Sequence, residues 1–169
     1  MRSMKKAFYM FIELILRVVI SPYFRASVLR IFGAKIGRNV RIYEIKLINL
    51  DSGFSNLEVG SDVHIGTGCC IDLKARVNIG DGTVISPNVT ILTHSDPGSY
   101  HGSPICNFFP PFEAEVLIKE HCWIGANSTI LAGSVINAKA VVGACSLVRG
   151  KLDGDSLYIG VPVKKVKSL

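Results

Sequence analysis

Charge is scarce in this chain of 169 residues: 19% are Asp, Glu, Lys or Arg, against 49% hydrophobic residues. So much apolar material excludes intrinsic disorder as the main state, and the length suits one domain with a real core. Acids are scarcest at the start. Residues 1–41 carry nine Lys or Arg and a single acid, Glu13, whereas the rest of the chain holds ten basic and twelve acidic residues. The net charge of +6 therefore belongs to an N-terminal arm and not to the body, which argues against nucleic acid as a partner.

Paired cysteines are lacking too. Cys69, Cys70, Cys106, Cys122 and Cys145 are odd in number and form no Cys-x-x-Cys, so buried free thiols in a reducing compartment are the simplest reading. No apolar run is long enough to span a bilayer: AFYMFIELILRVVI, residues 7–20, is interrupted by Glu13 and Arg17 and falls short of the roughly 20 residues required. No small-residue cleavage motif follows it, and no Walker-type or dinucleotide fingerprint occurs anywhere.

What the arm does contain predicts a hydrophobic helix over 7–20, with Glu13 and Arg17 paired at i,i+4 and Ser21-Pro22 breaking it. A second apolar stretch interleaves Val28, Leu29, Ile31 and Phe32 with Arg25 and Arg30. Two roles fit these residues. The arm either caps an open end of the body or lies in a membrane interface with its arginines toward anionic head groups.

From residue 36 the dominant pattern is a period of six. Its aliphatic starts are Ile36, Val59, Ile65, Ile71, Ile79, Ile85 and Ile91, then Ile118, Ile124, Ile130, Ile136 and Val142. Four positions after each start the residue is small or β-branched, Cys69, Cys122 and Ser146 among them. The position before that often holds a residue that tolerates positive φ: Asn39, Asp62, Gly68, Gly82, Asn88, Asn127, Gly133. This predicts a solenoid of short flat strands, three hexads to a triangular coil, with the aliphatic and the small residue pointing inward. Between Ile91 and Ile118 the period breaks for a loop of about 94–115, which contains His94, Asp96, His101 and an aromatic stretch, Asn107 to Phe112. A long loop ejected from a regular solenoid is usually functional.

The runs IGRNVR, VGSDVHIGTGCCID, IGDGTVISPNVTIL and WIGANSTILAGSVINAKAVVGACSLV resemble the hexapeptide-repeat acyltransferases of left-handed parallel β-helix fold. The ending LYIGVPVKKVK resembles that family's close, with Val163 where Ala is common. The resemblance covers roughly residues 33–167 and is nearest to the O-acetyltransferases of surface-polysaccharide pathways. It implies an all-β solenoid over 33–169 with a tail at about 150–169, preceded by a helical arm over 1–32. It also implies an acetyl-CoA-dependent enzyme that moves acetyl to a hydroxyl of a sugar or glycan intermediate, a histidine acting as general base in direct attack. His94 is the base this resemblance suggests. Many relatives carry His-Ser-His-Asp or Gly-Ser-His-Asp here, with the second His catalytic, whereas this chain reads His94-Ser95-Asp96, so His101 stays open as base or acceptor-binding residue. Asp96, Asp72 and Trp123 are further candidates for a catalytic or acceptor-binding role.

For acetyl-CoA, small corner residues Gly125, Ala126, Gly143 and Ala144 and the hydroxyl of Ser146 are the candidates for the pantetheine arm, and Lys164, Lys165 and Lys167 for the phosphates. The resemblance further implies a homotrimer with each site shared between neighbours, working in the cytoplasm or at the inner face of the membrane. No metal is expected: a γ-class carbonic anhydrase of this fold needs three histidines, two with four residues between them, and His94 and His101 have six. A serine- or xenobiotic-type acetyltransferase and a non-catalytic scaffold are the other readings.

Overall fold

Each hexad forms one short strand, and three strands turn the chain once around a triangular prism. The structure, a computed structural model, describes residues 2–169, with side chains from Met4 onward. Six parallel strands stack on the first face: Lys35–Ile36, Leu57–Val59, Val77–Ile79, Val116–Ile118, Val135–Ile136 and Lys151–Leu152. The second face stacks Arg41–Ile42, His64–Ile65, Val84–Ile85, Trp123–Ile124, Val141–Val142 and Ser156–Gly160. The third stacks Ile45–Ile48, Cys69–Asp72, Thr90–Ile91, Thr129–Ile130 and Leu147–Val148.

Register places like on like, with Ile65 beside Ile85, Ile85 beside Ile124 and Ile91 beside Ile130. All twelve predicted aliphatic starts are buried, each worth about 1.5–3 kcal/mol of transfer free energy. The small positions are buried as well except Ala75 and Ser95, which sit where the coil gives way to loops. Cys69 and Cys122 fill two of these slots, and burial pushes both thiols up to about 11.

The corners impose positive φ on every one of the seven residues predicted for it, and also on His121, Lys139 and Cys145, at φ 57°, 58° and 55°. At these three the stacking of coils prevails over residue preference. Gly125 shows why the corners run so tight: a Cβ there would lie 2.5 Å from the Ala144 nitrogen of the next coil.

The arm forms two helices, α1 (Arg2–Val18) and α2 (Pro22–Ile31). The first begins before the predicted span and ends short of it. Ser21 caps α2 by accepting the Phe24 N–H at 3.3 Å, and Pro22 occupies its first turn. The Glu13–Arg17 pair forms at 2.8 Å.

The helices cover the open first coil with one charged side chain for each face. Arg30 donates to the Ile36 carbonyl of the first face at 2.9 Å. Arg25, buried, donates to Ile42 of the second face at 2.6 Å and also to the carbonyls of Leu16 and Val19. Glu13, likewise buried, accepts the Leu47 N–H of the third face at 3.1 Å. Backbone groups with no coil below them thus find partners. Leu16, Ala26 and Leu29 join the same core as the solenoid. The cap is therefore present, and no described helix is long and apolar enough to cross a membrane. At the far end, Val163–Ser168 folds back antiparallel on Ser156–Gly160.

Candidate active site

After Thr90–Ile91 the chain leaves the third face at Leu92 and regains the first face at Val116. The excursion has a closed neck, because His94–Ser95 pairs antiparallel with Phe112–Glu113 and the Ala114 N–H donates to the Thr93 carbonyl at 2.9 Å. Lys74 ties the neck to the body, 3.6 Å from Glu113 and 3.7 Å from Asp51. His94 is therefore held by backbone pairing at the base of the loop.

Its ring rests on Asp72, one coil earlier, with Nδ1 2.5 Å from Oδ2. The Asp72 side chain is fully buried. The same oxygen accepts the Thr93 N–H at 2.9 Å, while Oδ1 accepts the Asn49 amide at 2.8 Å and the Lys74 N–H at 3.0 Å. Burial works against the charged form, but the hydrogen bonds from His94, Asn49, Thr93 and Lys74 outweigh it and hold this carboxyl below its ordinary value. An ionised carboxylate only accepts, so Nδ1 of His94 donates and the neutral ring carries its lone pair on Nε2. Nε2 has no partner among the described residues.

Two clefts meet at the ring. One, about 330 Å³, is polar and lined by Asn49, Lys74, Asp96, Ser99 and Glu113. The other, about 270 Å³, is lined by Leu92, Phe112, Leu131, Ala132 and Arg149. Arrangements of this kind, a partly exposed imidazole oriented by a buried carboxylate, suit general-base chemistry on a hydroxyl.

The other candidates fall in different places. Asp72 lines neither cleft: its oxygens are enclosed by four donors beneath His94. Asp96 is exposed, but its carboxylate caps the turn that follows it. It accepts from the Ser99 hydroxyl at 2.7 Å, the Ser99 N–H at 2.7 Å and the Gly98 N–H at 2.9 Å, and these bonds lower its pKa. His101 lies on the exposed turn Ser99–His101, its ring edge-on to Tyr100 at 5.1 Å, and lines neither cleft at His94.

Trp123, Gly125, Ala126, Gly143 and Ala144 come together in an apolar groove of about 470 Å³ that also takes in Ser86, Pro87 and Leu157. The indole N–H of Trp123 donates to the Ser86 hydroxyl at 3.0 Å, which sets the ring along the groove. Ser146 is not in it. Its side chain points inward, and its hydroxyl oxygen accepts the Gly160 N–H at 3.1 Å, so a ligand role is replaced by anchoring of the tail. Lys164, Lys165 and Lys167 lie exposed on the last strand, paired with Ile159, Tyr158 and the groove residue Leu157.

The groove and His94 occupy different edges of the prism. The groove follows the corner between the second and third faces, whereas His94 stands at the corner between the third and the first, and no residue lines both. Asn49, Glu113 and Arg149 were not signalled by the hexad pattern. The four-residue strand Ile45–Ile48 breaks the period just before Asn49, and the pairing of Ile48 with Asp72 is what brings the Asn49 amide to the site. Among the described residues there is no group of three or more His, Cys, Asp or Glu able to hold a metal ion.

The family profile "Bacterial transferase hexapeptide (six repeats)" matches residues 115–150. The chain is 32% identical over 151 residues to the Escherichia coli (strain K12) protein WcaF, named for an acetyltransferase role in colanic acid biosynthesis, covering 85% of this chain and 74% of WcaF. It is 33% identical over 118 residues to WbbJ of the same organism, named for O-acetyl transfer in lipopolysaccharide biosynthesis, covering 66% of this chain but only 57% of WbbJ. In fold it is similar to a hexapeptide-repeat-containing acetyltransferase from Vibrio cholerae O1 biovar eltor, solved with acetyl coenzyme A, at a TM-score of 0.85 and 21% identity over 99% of this chain and 88% of that one. The solenoid is thus a left-handed parallel β-helix, and the chain belongs to the hexapeptide-repeat acyltransferase family.

Proposed function

We propose that this chain is an acetyl-CoA-dependent O-acetyltransferase, with His94 as general base toward a hydroxyl of a sugar or glycan intermediate. The observation that carries the reading is the buried Asp72 carboxylate on His94 Nδ1, which leaves Nε2 as the one ring nitrogen able to take a proton at the meeting of two clefts. As the acceptor oxygen bonds to the thioester carbonyl carbon, its proton passes to Nε2. The C–S bond then breaks, and the imidazolium returns that proton to the departing CoA sulfur. Asp72 holds the tautomer before the transfer and stabilises the imidazolium after it, with no acyl-enzyme on the path. A positioned base of this kind supplies about 10²–10⁴-fold.

Acetyl-CoA is a substrate here, and the chain's own residues fit its parts. The Trp123 groove, apolar with small residues at its corners, suits the pantetheine arm, and the exposed Lys164 and Lys165 beside its end suit phosphates. Since groove and base lie on separate edges of one prism, the reading calls for a homotrimer in which one subunit's groove faces the neighbour's His94. The exposed aromatic loop, with Tyr100, Phe108 and Phe109 in solvent, is then the element that reaches across. The polar lining of the cleft at Asn49, Lys74 and Glu113 favours a sugar acceptor.

The test is release of free thiol from acetyl-CoA across a panel of sugar and glycan acceptors. Wild-type protein is expected to acetylate at least one sugar hydroxyl, and His94→Ala to lose about 10²–10⁴-fold in rate while still binding CoA in calorimetry. Unchanged turnover in His94→Ala sinks the assignment, and unchanged turnover in that variant with loss in His101→Ala transfers it to the loop.

A further inference from the structure

We infer that the outer face of the two N-terminal helices docks on an anionic lipid bilayer. On α1 the side turned to solvent is the apolar one: Met4, Phe8, Phe11, Ile15 and Val18 recur at spacings of four and three and are 43–79% exposed, a single stripe along the helix. The linker and α2 continue it with Ile20, Phe24 and Ile31, all exposed. A helix laid on a protein core ordinarily turns its charge outward. In this pair Glu13 and Arg25 are buried against the open coil of the solenoid, and the exposed side is mostly aromatic and aliphatic with Lys5 and Arg30 beside it.

Charge identifies the occupant. Of the nine basic side chains in the first 41 residues, Lys6, Arg17 and Lys35 pair with Asp51, Glu13 and Glu58 and Arg25 is buried. Lys5 on α1 and Arg38, which lies beside Tyr23 and Ser27 of α2, face no acid among the described residues. A second copy docked on the stripe would bring the same positive charge against itself. An anionic bilayer meets both features at once, with hydrocarbon for the stripe and negative surface potential for its flanks. Neither described helix is long enough to cross, so the contact is a surface one. A groove between α1 and the third face, walled by Met10, Phe11 and Leu14, also takes in Asn49, which lines the polar cleft of His94. Through Phe11 and Asn49 this groove connects the docked face to the polar cleft. The inference goes beyond acyl transfer and does not depend on it.

Flotation of the full chain with vesicles tests it without any substrate. The protein is expected to rise with vesicles of phosphatidylcholine plus phosphatidylglycerol and to stay behind with phosphatidylcholine alone. Phe11→Glu should cost about tenfold or more in vesicle affinity, and Lys5→Gln and Arg38→Gln about fivefold each, both effects falling in high salt. Phe11 is exposed, so an unchanged thermal midpoint and circular dichroism spectrum show that the variant is folded. The inference is overturned if wild type ignores anionic vesicles, floats equally with neutral ones, or if Phe11→Glu floats like wild type. It is equally overturned if Phe11→Glu lowers the molar mass in light scattering, which makes a second copy the occupant. Thiol release with a soluble acceptor reads the enzymatic proposal separately.

Discussion

Asp72→Asn changes almost no volume yet acts directly on the protonation of His94. In the native site two carboxylate oxygens take four donors, His94 Nδ1 and the Thr93 N–H on one, the Asn49 amide and the Lys74 N–H on the other. An asparagine offers one oxygen and one NH₂ group. With the NH₂ toward His94, the ring must accept at Nδ1 and carry its proton on Nε2, which removes the base. With the NH₂ toward Asn49, that amide can turn to offer its oxygen, but the Lys74 N–H is left without a partner and the imidazolium loses its countercharge. Either arrangement strands one buried donor, about 1–3 kcal/mol of stability. Kinetically the wrong tautomer alone costs up to about 10⁴-fold, so kcat should fall about 10²–10⁴-fold with KM for acetyl-CoA unchanged, read by thiol release under saturating acceptor. Residues that act as a unit are not additive, so Asp72→Asn combined with His94→Ala should be no slower than His94→Ala alone. Asp72→Asn turning over within about tenfold of wild type, or a double variant slower by the full product, would refute a positioning role.

Two further predictions concern the same buried charges. Arg25→Met keeps the length of the side chain but leaves the carbonyls of Leu16, Val19 and Ile42 without their donor. A loss of about 3 kcal/mol or more in chemical unfolding is expected, and a loss under about 1 kcal/mol would show that water replaces the guanidinium. For Asp72 the sign of the pH effect follows from its lowered folded pKa. Its contribution is complete above the ordinary carboxylate value of about 4 and disappears as pH falls through the lower folded value. The stability gap between wild type and Asp72→Asn, measured by unfolding at a series of pH values, should therefore be flat above about pH 5 and close below it, and a gap that widens in acid contradicts the assignment.

The solenoid was legible because a single physical demand, stacking one coil on the next, repeats every six residues and selects aliphatic, small and positive-φ residues at fixed places. Asn39, Asp62, Asn88 and Asn127 therefore predicted their own backbone conformation. His94 was legible as the histidine where the repeat breaks. Asp72 was legible as an acid near the site but not in its contact with His94, because whether a carboxylate meets ligand or imidazole depends on side-chain directions one coil apart. Ser146 looked like a ligand group by its neighbours, yet the repeat itself assigns that position to the interior, and the inward rule outranks proximity in sequence. The apolar run of α1 gave its composition away but not its orientation. Only the partner of Glu13, the Leu47 N–H, reveals which side of α1 faces in.

The separation of His94 from the Trp123 groove turns subunit sharing into a measurable quantity. If each site takes its base from one chain and its groove from the next around a closed ring, two inactive chains can restore one another. His94→Ala removes the base. Ala126→Trp fills the groove, at a half-buried corner that lines it. Each variant alone should be inactive. In rings assembled from equal amounts of both, a site works only when the chain with the blocked groove supplies His94 and the chain lacking His94 supplies the groove. With random neighbours that is about half of one half, or roughly a quarter of wild-type activity. If base and groove of one chain served the same site, every site in the mixed ring would still carry one lesion and no activity would return. Thiol release by rings refolded from the mixture, compared with rings of each variant alone, decides between the two.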